Sequence, residues 1–190
     1  MSVIPLWFAL AFFQAADPLF PPNAVQGGTV VAELGFAGGH VKKLNILSGE
    51  EPFVSSVRSA LAKWHLCPER NCSELVAVYF RQPYLYSTNE STEELKPVKP
   101  QSSLPFPKIV VQPSYPANAM GQGSVILRTE ISTEGRVSDV RIIQSLGSLT
   151  EPSVKAVRMW KFTVPKNEKG EKQPSHAYVV FVYRFPLMVK

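Results

Sequence analysis

The sequence predicts an α+β protein made of two tandem modules, each a small antiparallel sheet packed on helices, and three observations carry that prediction. A phrase near the start, DPLFPPNAVQGGTV at residues 17–30, returns as QPSYPANAMGQGSV at residues 112–125. In register, Phe20-Pro21 falls on Tyr115-Pro116, Asn23-Ala24 on Asn118-Ala119, and Gly28 on Gly123. Each phrase then runs into the same order of elements: a hairpin, a helix ending at a tryptophan, and an apolar strand.

The elements follow from their residue periods. Alternation at Val30, Ala32, Leu34 and Phe36, and at Val125, Leu127, Thr129 and Ile131, predicts a strand after each glycine. A turn follows in each, Gly38-Gly39 or Thr133-Glu134-Gly135. Val41, Leu44 and Ile46, or Val137, Val140 and Ile142, then mark the returning strand. Pro52 and Pro152 sit where a first helical turn tolerates the missing N–H. Phe53, Val57, Ala60, Leu61 and Trp64 form one apolar stripe; Val154, Val157 and Trp160, with Met159, form the other. The two indoles are expected to close a core between helix and sheet. The final strands begin at Leu75 and Tyr178.

Around this frame lie three further segments. Residues 3–13 form an apolar run ending in Gln14-Ala15-Ala16, the size of an export signal, although no Lys or Arg precedes it. Cleavage near Ala16 is expected, with a short uncleaved anchor or a buried element as alternatives; a bilayer span needs about 20 apolar residues. Cys67 and Cys72 are close in sequence. A loop-closing disulfide is the favoured reading, against free thiols or a zinc site using His65 that lacks a fourth ligand. Residues 87–108 are polar and proline-punctuated without a helical or strand period, which reads as a linker. Part of it packing across the first copy is the alternative. The resulting division is residues 1–16 as signal or anchor, 17–86 as first module, 87–108 as linker and 109–190 as second module.

The 190 residues are 45% hydrophobic, which suits a globular chain, and the net charge of +5 suits an anionic partner without selecting one. His40, His65 and His176 have no serine, cysteine or acid at a triad spacing. Gly121-Gln122-Gly123 precedes a strand and therefore is no phosphate loop. The expectation is a binding protein with no catalytic site, cofactor or metal. Tyr178, Phe181 and Tyr183 could stack on single-stranded nucleic acid, but the lysines flank this strand instead of alternating with its aromatics, and nucleic acid is not expected as a partner.

The second copy resembles the C-terminal domain of the TonB family. The residues that carry the resemblance are Gln112-Pro113-x-Tyr115-Pro116, Ala119, Gly123-x-Val125, Gly135-x-Val137, Val140, Ser145, Ala156, Arg158 and Trp160-x-Phe162. The first copy looks like a diverged relative, keeping Phe20-Pro21, Gly28-x-Val30, Gly39-x-Val41 and Trp64-x-Leu66. The resemblance implies a periplasmic adaptor, tethered to the inner membrane if the leader is retained. It implies as partners a TonB-dependent outer-membrane transporter or another envelope protein, and inner-membrane proton-channel proteins. It further implies that a short extended peptide, the TonB box, adds to the last strand. That places partner binding at Gln112, Tyr115, Tyr178, Val180, Phe181, Val182 and Tyr183. The same edge could instead pair with the first copy or with a second chain as a homodimer. The alternative function is an exported structural or cell-wall-binding module without energy transduction.

Overall fold

The computed structural model describes residues 15–66, 71–82, 92–97, 103–116, 119, 121–167 and 169–185. Most of the expected export segment, Cys67, Asn118 and much of the Pro-rich stretch lie outside the described residues.

Both predicted hairpins form. β1 (Gly28–Ala37) pairs with β2 (His40–Ser48), and α1 (Phe53–Leu61) and β3 (Cys72–Phe80) follow. After β4 (Thr92–Glu94) and β5 (Pro107–Val111) comes the second hairpin, β6 (Gly123–Ile131) with β7 (Val137–Gln144). A single 3-10 turn (Gly147–Leu149), α2 (Thr150–Arg158), β8 (Lys161–Phe162) and β9 (Ser175–Tyr183) complete the order.

The last strands join the halves. One six-stranded sheet runs β2-β1-β3-β9-β6-β7, with β3 and β9 parallel at its centre and every other neighbouring pair antiparallel. From either outer edge the order reads hairpin, then last strand. The sheet is covered on both faces, as a strand apolar on both sides requires. On one face, Phe53, Val57 and Leu61 of α1 pack with Val76, Val78 and Phe80 of β3 and Tyr178, Val180 and Val182 of β9. On the other, Ala156 and Val157 of α2 pack with Leu75, Ala77 and Tyr79 of β3 and Val179, Phe181 and Tyr183 of β9. Each core therefore draws residues from both halves.

The segment read as a linker contributes ordered structure. Within it lies β4, which pairs with β5, and β5 pairs with β8 in a separate three-stranded sheet. Leu95 and Phe106 join the α2-side core beside Val31 and Leu47, and Thr29 Oγ1 donates to Glu93 Oε2 at 3.0 Å. Polar composition concealed this strand because Thr92, Glu93 and Glu94 are all exposed, and only Leu95 turns inward.

The α1 stripe is buried as its spacing predicts. The α2 stripe is rotated from expectation: Ser153, Ala156 and Val157 are buried, Val154 is only partly covered, and Met159 is 41% exposed. The cause is polar. Ser153 Oγ lies 2.8 Å from the Leu149 carbonyl and 2.7 Å from the Tyr183 hydroxyl, so the helix presents a serine to β9.

Gly39 and Gly135 occupy equivalent turns with φ of 82° and 77°. A Cβ on Gly39 would strike the His65 ring, and one on Gly135 the Phe162 carbonyl. The chain after each tryptophan crosses its hairpin turn at that point, with Leu66 N donating to the Gly39 carbonyl at 2.9 Å and Phe162 N to that of Gly135 at 2.8 Å. Only glycine combines the left-handed backbone with that approach.

Candidate peptide-binding site

The site expected along β9 has its residues together, and a strand already lies on it. Val76, Val78 and Phe80 of β3 stand opposite Tyr178, Val180 and Val182, while β6 takes the other edge of β9. Val180, Phe181, Val182 and Tyr183 are almost wholly buried, and Tyr178 is 8% exposed. The expectation of an open edge at β9 does not hold in this arrangement. The apolar residues on both faces of residues 178–185 signalled a central strand, and periodicity alone does not say which chain supplies the neighbour.

Gln112 and Tyr115 lie beside the end of β3. Tyr79 Oη reaches Gln112 Oε1 at 3.5 Å, and the Arg81 Nε–H donates to the Pro113 carbonyl at 3.0 Å. The Arg81 guanidinium sits over the Tyr115 ring, 4.9 Å from its centroid, and a second N–H of Arg81 donates to the Gln82 carbonyl at 2.6 Å. Both expected residues thus face the first half of the chain. Burial holds the Arg81 pKa below the ordinary arginine value, opposed by Tyr183, Tyr79 and Tyr115. Burial pushes the Tyr183 phenol well above the ordinary tyrosine value, with the bond to Ser153 and the Arg81 charge opposing. Tyr178 is raised as well, first by burial and then by the nearby Glu74 carboxylate.

The contact is reciprocal. Arg184, the residue after β9, lies 5.2 Å over the Phe20 ring and donates to the Ala24 carbonyl at 3.1 Å. Phe20 in turn stacks edge-on against Phe53 and Phe80. Each entry phrase is also tied to its own tryptophan: Trp64 Nε1–H donates to the Ala16 carbonyl and Trp160 Nε1–H to that of Val111, both at 3.0 Å. Sequence reasoning missed Arg81, Arg184 and Tyr79. The readable signal was an arginine one residue past each last strand, in Phe80-Arg81 and Tyr183-Arg184.

Residues 111–185 match the model of the family described as Gram-negative bacterial TonB protein C-terminal. This segment is similar to the TonB C-terminal domain. No curated protein and no solved structure matches the chain. The matched segment holds β6, β7, α2, β8 and β9, mostly sheet with a short helix.

Of the remaining sequence candidates, His176 lies on β9 itself. Cys72, the first residue of β3, is disulfide-bonded, and the chain's other cysteine, Cys67, falls outside the described residues. His40 and His65 meet edge to face at 4.7 Å beside the first hairpin turn. His176 Nε2 pairs with the buried Glu74 carboxylate at 2.8 Å and so joins β9 to β3. Among the described residues, no group of three or more His, Cys, Asp or Glu side chains could hold a metal ion. No helix among them is long and apolar enough to cross a membrane.

Proposed function

We propose that the chain is a periplasmic, TonB-like envelope adaptor that holds extended peptides of outer-membrane transporters or other envelope proteins by strand addition. The family match of residues 111–185 supports an adaptor without catalysis. The strand-accepting edge of β9 is filled in cis by β3, the last strand of a diverged first module that pairs Cys67 with Cys72. Removing β3 would expose Leu75, Val76, Ala77, Val78, Tyr79 and Phe80, all buried. At about 1.5–3 kcal/mol for each large apolar side chain, that costs on the order of 10 kcal/mol before replacement contacts. A micromolar peptide brings about 8 kcal/mol, so displacement is not the binding route.

The observation that carries the reading is the outer edge at β2. Apart from an isolated bridge from its first residue, His40, to His65, this strand pairs only with β1 among the described residues, where its exposed Lys42 and Lys43 also make no ion pair. An edge strand offers unpaired N–H and C=O groups to an extended partner. The two lysines favour an acidic peptide, and through like-charge repulsion they disfavour a second copy of the same edge. Lys166, Lys169 and Lys172, exposed in the turn before β9, add to the positive field. Coupling to inner-membrane proton-channel proteins rests on the family resemblance.

The test is titration of the full chain with a fluorescent acidic TonB-box-like peptide. Binding that weakens with salt, and about tenfold or more in Lys42→Glu/Lys43→Glu, is expected. Binding unaffected by both would overturn the assignment to β2.

A further inference from the structure

We propose that the opposite outer edge, β7, pairs antiparallel with β7 of a second copy of this chain, centred on Val140. The inference goes beyond peptide binding and uses a different surface. Among the described residues, the strand β7 pairs with β6 alone within the six-stranded sheet. Just before its first residue, Arg136 bridges to Lys161 of β8. The stretch beyond that bridge, residues 138–142, has exposed Ser138, Asp139, Arg141 and Ile142, with Val140 half-buried between them. Ile142 is 51% exposed, the large apolar side chain of this strand that faces solvent.

The charges identify the partner. Across the β6–β7 ladder, Arg128 stands opposite Arg141 and Glu130 opposite Asp139, like against like. Arg128 and Glu130 neutralise each other along β6, with Nη1 2.6 Å from Oε1. Asp139 and Arg141 make no ion pair among the described residues. Directly opposed like charges disfavour a sheet and opposite charges favour it. A strand added outside β7 therefore fits best with a cation facing Asp139 and an anion facing Arg141. A second copy in two-fold antiparallel register on Val140 supplies that pattern twice, Asp139 to Arg141 and Arg141 to Asp139. The same register sets Ser138 opposite Ile142 and Val140 against its own counterpart, where the two valines and the two Ile142 side chains share one face.

Because the ladder covers five residues, fewer than most interfaces use, the dimer is reversible and depends on concentration. The experiment is sedimentation velocity of the full chain over a concentration series, with D139R, R141D and the double exchange D139R/R141D. Each single reversal turns both cross-dimer pairs into like charges and should weaken self-association about tenfold or more. The double exchange restores opposite charges by symmetry and should recover it. Circular dichroism reports whether each variant is folded; an unfolded single variant is replaced by D139K or R141E, which carry the same charges. A wild-type chain that stays monomeric throughout, or single reversals that leave the dimer intact, would overturn the proposal.

Discussion

The Arg81 guanidinium lies over the Tyr115 ring and reaches back to the Pro113 carbonyl, so the last strand of one half clasps the entry phrase of the other. Arg81 is 2% exposed and its contacts are made in low dielectric, where a charged donor is worth more than a neutral one. Arg81→Ala is expected to destabilise the chain by about 2–3 kcal/mol, through a lost charge-assisted hydrogen bond and lost stacking. Arg184→Ala removes the counterpart over Phe20 at a partly exposed site and should cost about 1 kcal/mol. Urea unfolding of both variants checks the order; an Arg81→Ala chain as stable as wild type would count against the clasp.

Because β3 and β9 contribute to both cores, the halves should unfold together. Thermal and denaturant curves followed by tryptophan fluorescence and by far-UV circular dichroism are expected to coincide. An early transition confined to the first half would show that the shared sheet separates before the cores melt.

How far this was legible in the sequence varies by element. Both hairpins, both helices and both last strands could be read because each is a local period bounded by glycine or proline. The pairing of β3 with β9 is different, since no local pattern distinguishes a strand awaiting a peptide from one filled by its own chain. Tyr178, Val180 and Val182 facing one side and Val179, Phe181 and Tyr183 the other announced a strand buried on both faces. They left the neighbour unspecified. Gln112 and Tyr115 were found through the family phrase, whereas Arg81 was missed because an isolated arginine after a strand looks like an ordinary solvated end. The strand β4 escaped because its residues are polar and exposed, and the side-chain contact between Thr29 and Glu93 spans 64 positions.

The indole N–H groups of Trp64 and Trp160 each donate to a backbone carbonyl, and Trp160 is 1% exposed. Trp160→Phe keeps most of the apolar volume but leaves the Val111 carbonyl without its donor, at an expected cost of about 1–3 kcal/mol. Trp160→Ala should lose about 3–5 kcal/mol by opening a cavity. A Trp160→Phe variant as damaging as Trp160→Ala would mean that volume is secondary there.

Tyr183 and Tyr178 both have pKa values raised in the folded state, chiefly by burial. A raised phenol pKa means the folded chain holds its proton after the unfolded chain has released it. The contribution is therefore complete below the unfolded value near pH 10 and is lost as pH rises beyond it. Stability should fall steeply above about pH 10. Tyr183→Phe should flatten that fall while lowering stability at neutral pH through the lost bond to Ser153. An unchanged alkaline limb in Tyr183→Phe would contradict the assignment.

The most direct test of the account is residue-resolved amide exchange of the full chain, with and without an acidic TonB-box-like peptide. Strand addition at the outer edge predicts slowed exchange within β2, His40–Ser48, while the amides of β9, Ser175–Tyr183, remain as protected as in the free chain. If the peptide instead changes exchange along β9 and loosens β3, Cys72–Phe80, then β3 is displaced and the claim that it permanently fills the β9 edge is wrong.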